Sequence, residues 1–129
     1  MTEPLSILVV EDRNADFILI ERHFKQNGLA ASCRRVDSLE GLKGAIDKGS
    51  WNLVLADYNV PHLNFLDCLN LVRETLPDVP IIMVTGTLGE EKAVDLLKLG
   101  VWDFVLKDNL TRLVPAVRRS LKEKKGLEE

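Results

Sequence analysis

The chain is poor in cysteine, in basic excess and in long apolar runs, and each shortage closes off a class of protein. Cys33 and Cys68 are its only cysteines. They lie far apart, with neither CxxC spacing nor a nearby histidine, which excludes a disulfide framework and a zinc site. Two reduced, semi-buried thiols remain, and they point to the cytoplasm. A net charge of -3 excludes a nucleic-acid surface built on phosphate contacts, which needs a strong excess of lysine and arginine. The apolar run Leu5 to Val10 is too short for a membrane span or signal peptide, and Met1 to Pro4 offers no basic leader. No linker, low-complexity tract or second core fits in 129 residues. The expectation is one domain over residues 1–129, with its core at about 5–121.

With 46% hydrophobic and 29% charged residues, the sequence has a globular balance. Short apolar runs alternate with segments of helical period. Leu5 to Val10 reads as a buried strand, and Phe17, Ile20 and Phe24 mark a helix over Ala15 to Asn27 that Gly28 stops. Ser32 to Val36, with Arg34 and Arg35, reads as an edge strand, and Ser38 as the cap of a helix running to Lys48. Asn52 to Ala56 is a central strand, and the polar loop from Asp57 to Asn64 leads to a helix carried by Phe65, Leu69, Val72 and Leu76. Pro80 to Val84 is the fourth strand, followed by a loop with Gly86 and Gly89; Glu90 and Glu91 open a helix that Gly100 closes. Val101 to Leu106 is the fifth strand, and a last helix starts near Asn109, with Pro115 either kinking it or delaying its start.

Five βα units with nearly continuous apolar strands imply a parallel sheet with helices on both faces. A barrel would need about eight such units. The expected fold is α/β: a three-layer, doubly wound, five-stranded parallel sheet of flavodoxin-like order 2-1-3-4-5. In such sheets ligands bind beyond the carboxyl ends of the strands, where strand order reverses. The residues that follow the strands are then Glu11 and Asp12, Asp57, Thr85 and Lys107.

Three carboxylates that converge repel one another, and a hard divalent ion removes the penalty. Mg²⁺ fits because it takes a few carboxylates and keeps waters that a phosphoryl oxygen can replace. A carboxylate beside it can act as nucleophile in phosphoryl transfer, with Lys107 offsetting phosphoryl charge and Thr85 donating a hydrogen bond. Taken singly, each residue also has a plainer role: Glu11 and Asp12 as helix-capping acids, Asp57 as an Asx-turn residue, Thr85 in a Thr85-Gly86-Thr87 turn, Lys107 as a surface lysine. All four strand ends carrying compatible groups favours the joint reading.

Val9-Val10-Glu11-Asp12, Leu55-Ala56-Asp57-Tyr58-Asn59-Val60-Pro61, Val84-Thr85-Gly86 and Asp103-Phe104-Val105-Leu106-Lys107 together resemble the receiver domains of two-component response regulators. The resemblance spans about Leu5 to Leu121. It implies a cytoplasmic phosphorelay switch rather than an enzyme, in which Asp57 accepts a phosphoryl group from a histidine kinase or histidine phosphotransfer protein. It further implies that Asp12, Asp57 and the Asn59 backbone carbonyl hold Mg²⁺, with Glu11 assisting through a water. Lys107 would bind the phosphoryl oxygens and Thr85 would swing toward them. Phe104 would follow as an aromatic switch, altering the face of the fourth helix, fifth strand and fifth helix. The signal would leave through a downstream protein or through an output domain outside this chain. His62 and His23 read as surface residues.

Three positions depart from the family pattern. Glu11 replaces the commoner aspartate. Phe65 stands where glycine is usual, so that it either changes the loop conformation or puts an aromatic at the pocket rim. Asp108 replaces a proline that is often preceded by a cis bond, so a trans bond is expected here. Phe65 and Asp108 motivate an alternative, a degenerate receiver acting as a phosphorylation-independent interaction module. A flavin-type cofactor binder is disfavoured, because the first strand-to-helix loop carries acids instead of a glycine-rich phosphate cradle.

Overall fold

The computed structural model describes residues 3–86 and 92–128, with side chains to residue 124. Among the described residues five strands alternate with five α-helices: β1 (Leu5–Val10), α1 (Asn14–Gln26), β2 (Ala31–Val36), α2 (Leu39–Lys48), β3 (Leu53–Asp57), α3 (Phe65–Thr75), β4 (Ile81–Thr85), α4 (Ala93–Leu99), β5 (Asp103–Leu106) and α5 (Leu113–Glu128). All strand pairs are parallel and the order is β2-β1-β3-β4-β5, as expected from the alternating pattern.

Side-chain alternation along the strands divides the core into two layers. Ile7 and Val9, Leu53 and Leu55, Ile82 and Val84, and Val105 face α1 and α5, where Ile20, Phe24, Leu113 and Val117 cover them. Leu8 and Val10, Val54 and Ala56, and Ile81 and Met83 face α2, α3 and α4, meeting Leu42, Leu69 and Leu96. Both faces of β3 and β4 are therefore apolar, which explains their unbroken hydrophobic runs. At the edge, β2 buries little except Val36.

Caps and stops largely follow the sequence signals. Ser38 Oγ accepts the Gly41 N–H at 3.0 Å, and Asn64 Oδ1 accepts from Leu66 and Asp67 at the start of α3. Gly28 and Gly100 have φ of +72° and +123°, and a Cβ at Gly100 would come within 2.8 Å of the Arg73 side chain. Of the two outcomes that Pro115 leaves open for the last helix, the delayed start is the one observed. Asn109 makes no side-chain cap; a 3-10 turn, Leu110–Arg112, intervenes, and α5 starts at Leu113. The delay places Pro115 in the first turn, where its missing N–H costs no intrahelical bond. Four strands are also offset from the expected ranges: β2 begins one residue earlier, at Ala31, β3 and β4 end one residue later, on Asp57 and Thr85, and β5 begins at Asp103. The expected opening of α4 by Glu90 and Glu91, and the loop glycine Gly89, lie outside the described residues.

Candidate functional site

Glu11 leaves the end of β1, while Asp57 closes β3 opposite Val84 of β4. Thr85 closes β4 opposite Leu106, and the Lys107 N–H donates to the Thr85 carbonyl at 2.8 Å, so β5 delivers the lysine to the same edge. Sheet register alone therefore brings the predicted residues together.

Lys107 Nζ lies 2.8 Å from Asp57 Oδ2 and 2.8 Å from Glu11 Oε2. Its third contact, also at 2.8 Å, is Asp16 Oδ2. The sequence reading did not single out Asp16. The available signal was positional: Asp16 lies in the first turn of α1, the helix that begins just after Glu11 and Asp12. Burial pulls the Lys107 pKa down, but hydrogen bonds to Asp16, Asp57 and Glu11 outweigh it and leave the ammonium harder to deprotonate than an ordinary lysine.

Glu11 is buried despite its charge, at 1% exposure. Burial pushes its carboxyl up to about 7; Lys107 and the Arg13 N–H pull it down, and the Asp57 charge pushes it up. The Arg13 N–H donates to Glu11 Oε1 at 3.0 Å, and Arg35 Nη1 donates to the Glu11 carbonyl at 3.1 Å. Asp57 Oδ1 accepts the Asn59 N–H at 3.1 Å, so the Asx-turn role and the place in the acidic group coexist in one residue. One oxygen of Asp57 is thus held by its own loop and the other by Lys107.

Glu11, Asp12 and Asp57 each offer a carboxylate oxygen within 4.8 Å of the others. Three hard oxygen donors at this separation suit Mg²⁺. Thr85 supplies an independent sign of a missing partner. It is fully buried, and its hydroxyl has no hydrogen-bond partner among the described residues.

The remaining predicted positions fall as follows. Phe104 is half-buried on the α2–α4 side of the sheet, with the Arg112 guanidinium 5.9 Å from its ring centre. Phe65 does not stand at the pocket rim: it is buried in the core and packs at 45° against Tyr58, ring centres 5.4 Å apart. The bond between Lys107 and Asp108 is trans, as every described peptide bond is. His62 is exposed with φ +64°, whereas His23 is not simply a surface residue, since its Nε2 is buried without a partner among the described residues. Cys33 is half-buried and Cys68 buried; burial raises both thiols to about 12, so neither is a ready thiolate.

Comparison with known proteins agrees with this geometry. Residues 7–118 match the response regulator receiver domain family. The chemotaxis protein CheY-3 of Vibrio cholerae is 25% identical over 126 residues, covering 96% of this chain and 91% of that protein. The nitrogen assimilation regulatory protein NtrX of Azorhizobium caulinodans is 30% identical over 118 residues, 89% of this chain but 26% of its own length. Among solved structures, a response regulator receiver domain protein of Clostridium thermocellum superposes with a TM-score of 0.82. It is 24% identical, and the match covers 95% of this chain and 98% of that one.

Proposed function

Because the chain belongs to the response regulator receiver domain family, whose members are signalling switches and not classical enzymes, we propose that it is a phosphorelay receiver whose phosphoryl acceptor is Asp57. The observation that carries the reading is the placement of the Lys107 ammonium 2.8 Å from Asp57 Oδ2, beside an acidic group with the spacing of a metal site.

Asp57 acts as the nucleophile. A carboxylate oxygen forms a bond to phosphorus while the bond from phosphorus to the donor breaks, and the donor leaves with that electron pair. For the proposed biological donor, a phosphohistidine on a histidine kinase or phosphotransfer protein, the leaving group is imidazole nitrogen. Mg²⁺, held by Asp12, Asp57 and the Asn59 carbonyl, with Glu11 assisting through a water, would supply charge neutralisation at the phosphoryl oxygens. Lys107 exchanges its bond to Asp57 for one to a phosphoryl oxygen. The Thr85 hydroxyl, orphaned among the described residues, gains an acceptor once that oxygen arrives. Movement of Thr85 then lets Phe104 turn inward, altering the face formed by α4, β5 and α5, where a downstream protein or an output domain would read it. The receiver unit is residues 1–129 with its core at 5–121. Its place is the cytoplasm; among the described residues no helix is long and apolar enough to cross a membrane.

The burial of Phe65 in the core and the contact of Lys107 with Asp57 despite Asp108 support this reading over a phosphorylation-independent module. A direct test compares amide spectra of the ¹⁵N-labelled chain with and without Mg²⁺ and beryllofluoride, a mimic of the phosphoryl group. The reading requires shifts at Thr85, Phe104 and Lys107 that Asp57→Asn abolishes; unchanged spectra support the interaction module instead.

A further inference from the structure

We propose that Asp16 is a positioning residue of this site: a carboxylate outside the metal-holding group that competes with the incoming phosphoryl group for the Lys107 ammonium and so slows phosphorylation of Asp57. The proposal rests on the reading of Asp57 as phosphoryl acceptor.

A lysine ammonium has three N–H donors and accepts nothing. Glu11, Asp16 and Asp57 each stand 2.8 Å from Lys107 Nζ; two of the donors bond Asp16 and Asp57, and Glu11 completes the ring of charge as an ion pair. The three acids are not equivalent. Glu11 and Asp57 share the cluster with Asp12, where a divalent ion would hold them, whereas Asp16 lies outside that group and reaches across from α1. Among the described residues its side chain pairs with Lys107 alone. A cavity of about 20 Å³ adjoins the pair, lined by Leu19, Ile20, Val84 and Leu110 besides Asp16 and Lys107. Those apolar walls limit water on one side and strengthen the attraction. The N-terminal end of α1, where the helix dipole is positive, also favours an anion at this position.

A phosphoryl group on Asp57 brings charge that Lys107 must face. Asp16 opposes this in two ways that act in the same direction: it occupies one lysine donor, and it adds a negative charge beside the arriving anion. Replacing Asp16 with asparagine removes the charge while Glu11 and Asp57 still orient the lysine. The chemical step is unchanged: with acetyl phosphate, the bond from Asp57 oxygen to phosphorus forms, the phosphorus–acetate bond breaks, and acetate leaves with the electron pair.

The test follows phosphorylation of the whole chain by acetyl phosphate and Mg²⁺ with time-resolved intact mass, for the natural sequence, Asp16→Asn and Asp16→Glu, at low and high salt. The expected result is a rate constant about 3- to 10-fold higher for Asp16→Asn at low salt, a gap that narrows at high salt because the competition is one of charge. Asp16→Glu restores the slow rate. A natural chain that is phosphorylated while Asp16→Asn is equally fast or slower overturns this role and leaves the Asp57 reading standing. A natural chain that gains no phosphoryl group overturns both.

Discussion

Lys107 Nζ and Asp57 Oδ2 stand 2.8 Å apart although fifty positions separate them in the sequence. Parallel pairing of β3 with β4 and β4 with β5 creates that contact, because it brings three strand ends level. The pair is the hinge of the proposed chemistry, and it also holds down the repulsion among the carboxylates around it.

Removing the lysine while keeping its bulk should expose that second role. Lys107→Met leaves Glu11 and Asp57 buried together without their cation. In metal-free buffer the variant is expected to lose about 1–3 kcal/mol in urea unfolding, below the cost of breaking a fully buried pair because the lysine is partly exposed. Added Mg²⁺ should recover much of the loss, as it supplies the missing positive charge.

Glu11 makes the metal-free protein sensitive to pH. Its ordinary value of 4.5 rises to about 7 on folding. Between those values the folded chain keeps a proton that the unfolded chain has released, so stability falls as pH rises from about 4.5 to about 7. The fall is at most about 3 kcal/mol. Lys107, whose pKa is raised, contributes stability that stays complete below the ordinary lysine value and is constant across this window. Urea unfolding at stepped pH should show the decline in natural protein, and Glu11→Gln should flatten it.

Thr85 separates stability from signalling. Its hydroxyl is buried without a partner among the described residues, so Thr85→Val, nearly equal in volume, is expected to match or exceed the natural stability by up to about 1 kcal/mol. The same variant should show a weaker response to beryllofluoride at Phe104, measured by amide shifts, while Thr85→Ser keeps most of it. A Thr85→Val variant that is strongly destabilised would mean that the hydroxyl already has a partner in solution.

The Asp103 carboxyl is buried at the start of β5, where it pairs with Arg119 of α5 and accepts the Phe104 N–H at 2.8 Å. Arg119→Ala leaves the acid with the backbone bond only. A loss of about 1–2 kcal/mol is expected, smaller than for a wholly buried pair because Arg119 reaches solvent. Thermal or urea unfolding measures it, and phosphorylation of Asp57 should proceed normally.

Much of this molecule is legible in its sequence because period and position carry the signal. Short apolar runs such as Leu53 to Ala56, bounded by polar residues, read as strands covered on both faces, and βα alternation restricts the order of a small parallel sheet to few choices. Placing Glu11, Asp57, Thr85 and Lys107 after the strands then follows from the topology. What escaped was set by packing between distant elements. Asp16 sits on a helix whose local pattern says nothing of a lysine 91 positions away. The apolar stripe of α3 already puts Phe65 on the buried face with Leu69 and Val72, but its pairing with Tyr58 depends on how α3 returns to the sheet. The late start of α5 is local instead, and is one of the two outcomes that Pro115 leaves open: Asn109 is a good cap in isolation, but Pro115 is tolerated only within the first turn.

The most direct test of the central claim is intact mass of the chain after incubation with acetyl phosphate and Mg²⁺. The account predicts gain of one phosphoryl group by the natural sequence, lost when the metal is chelated and absent from Asp57→Asn. No adduct on the natural chain, or an adduct that persists in Asp57→Asn, would contradict it.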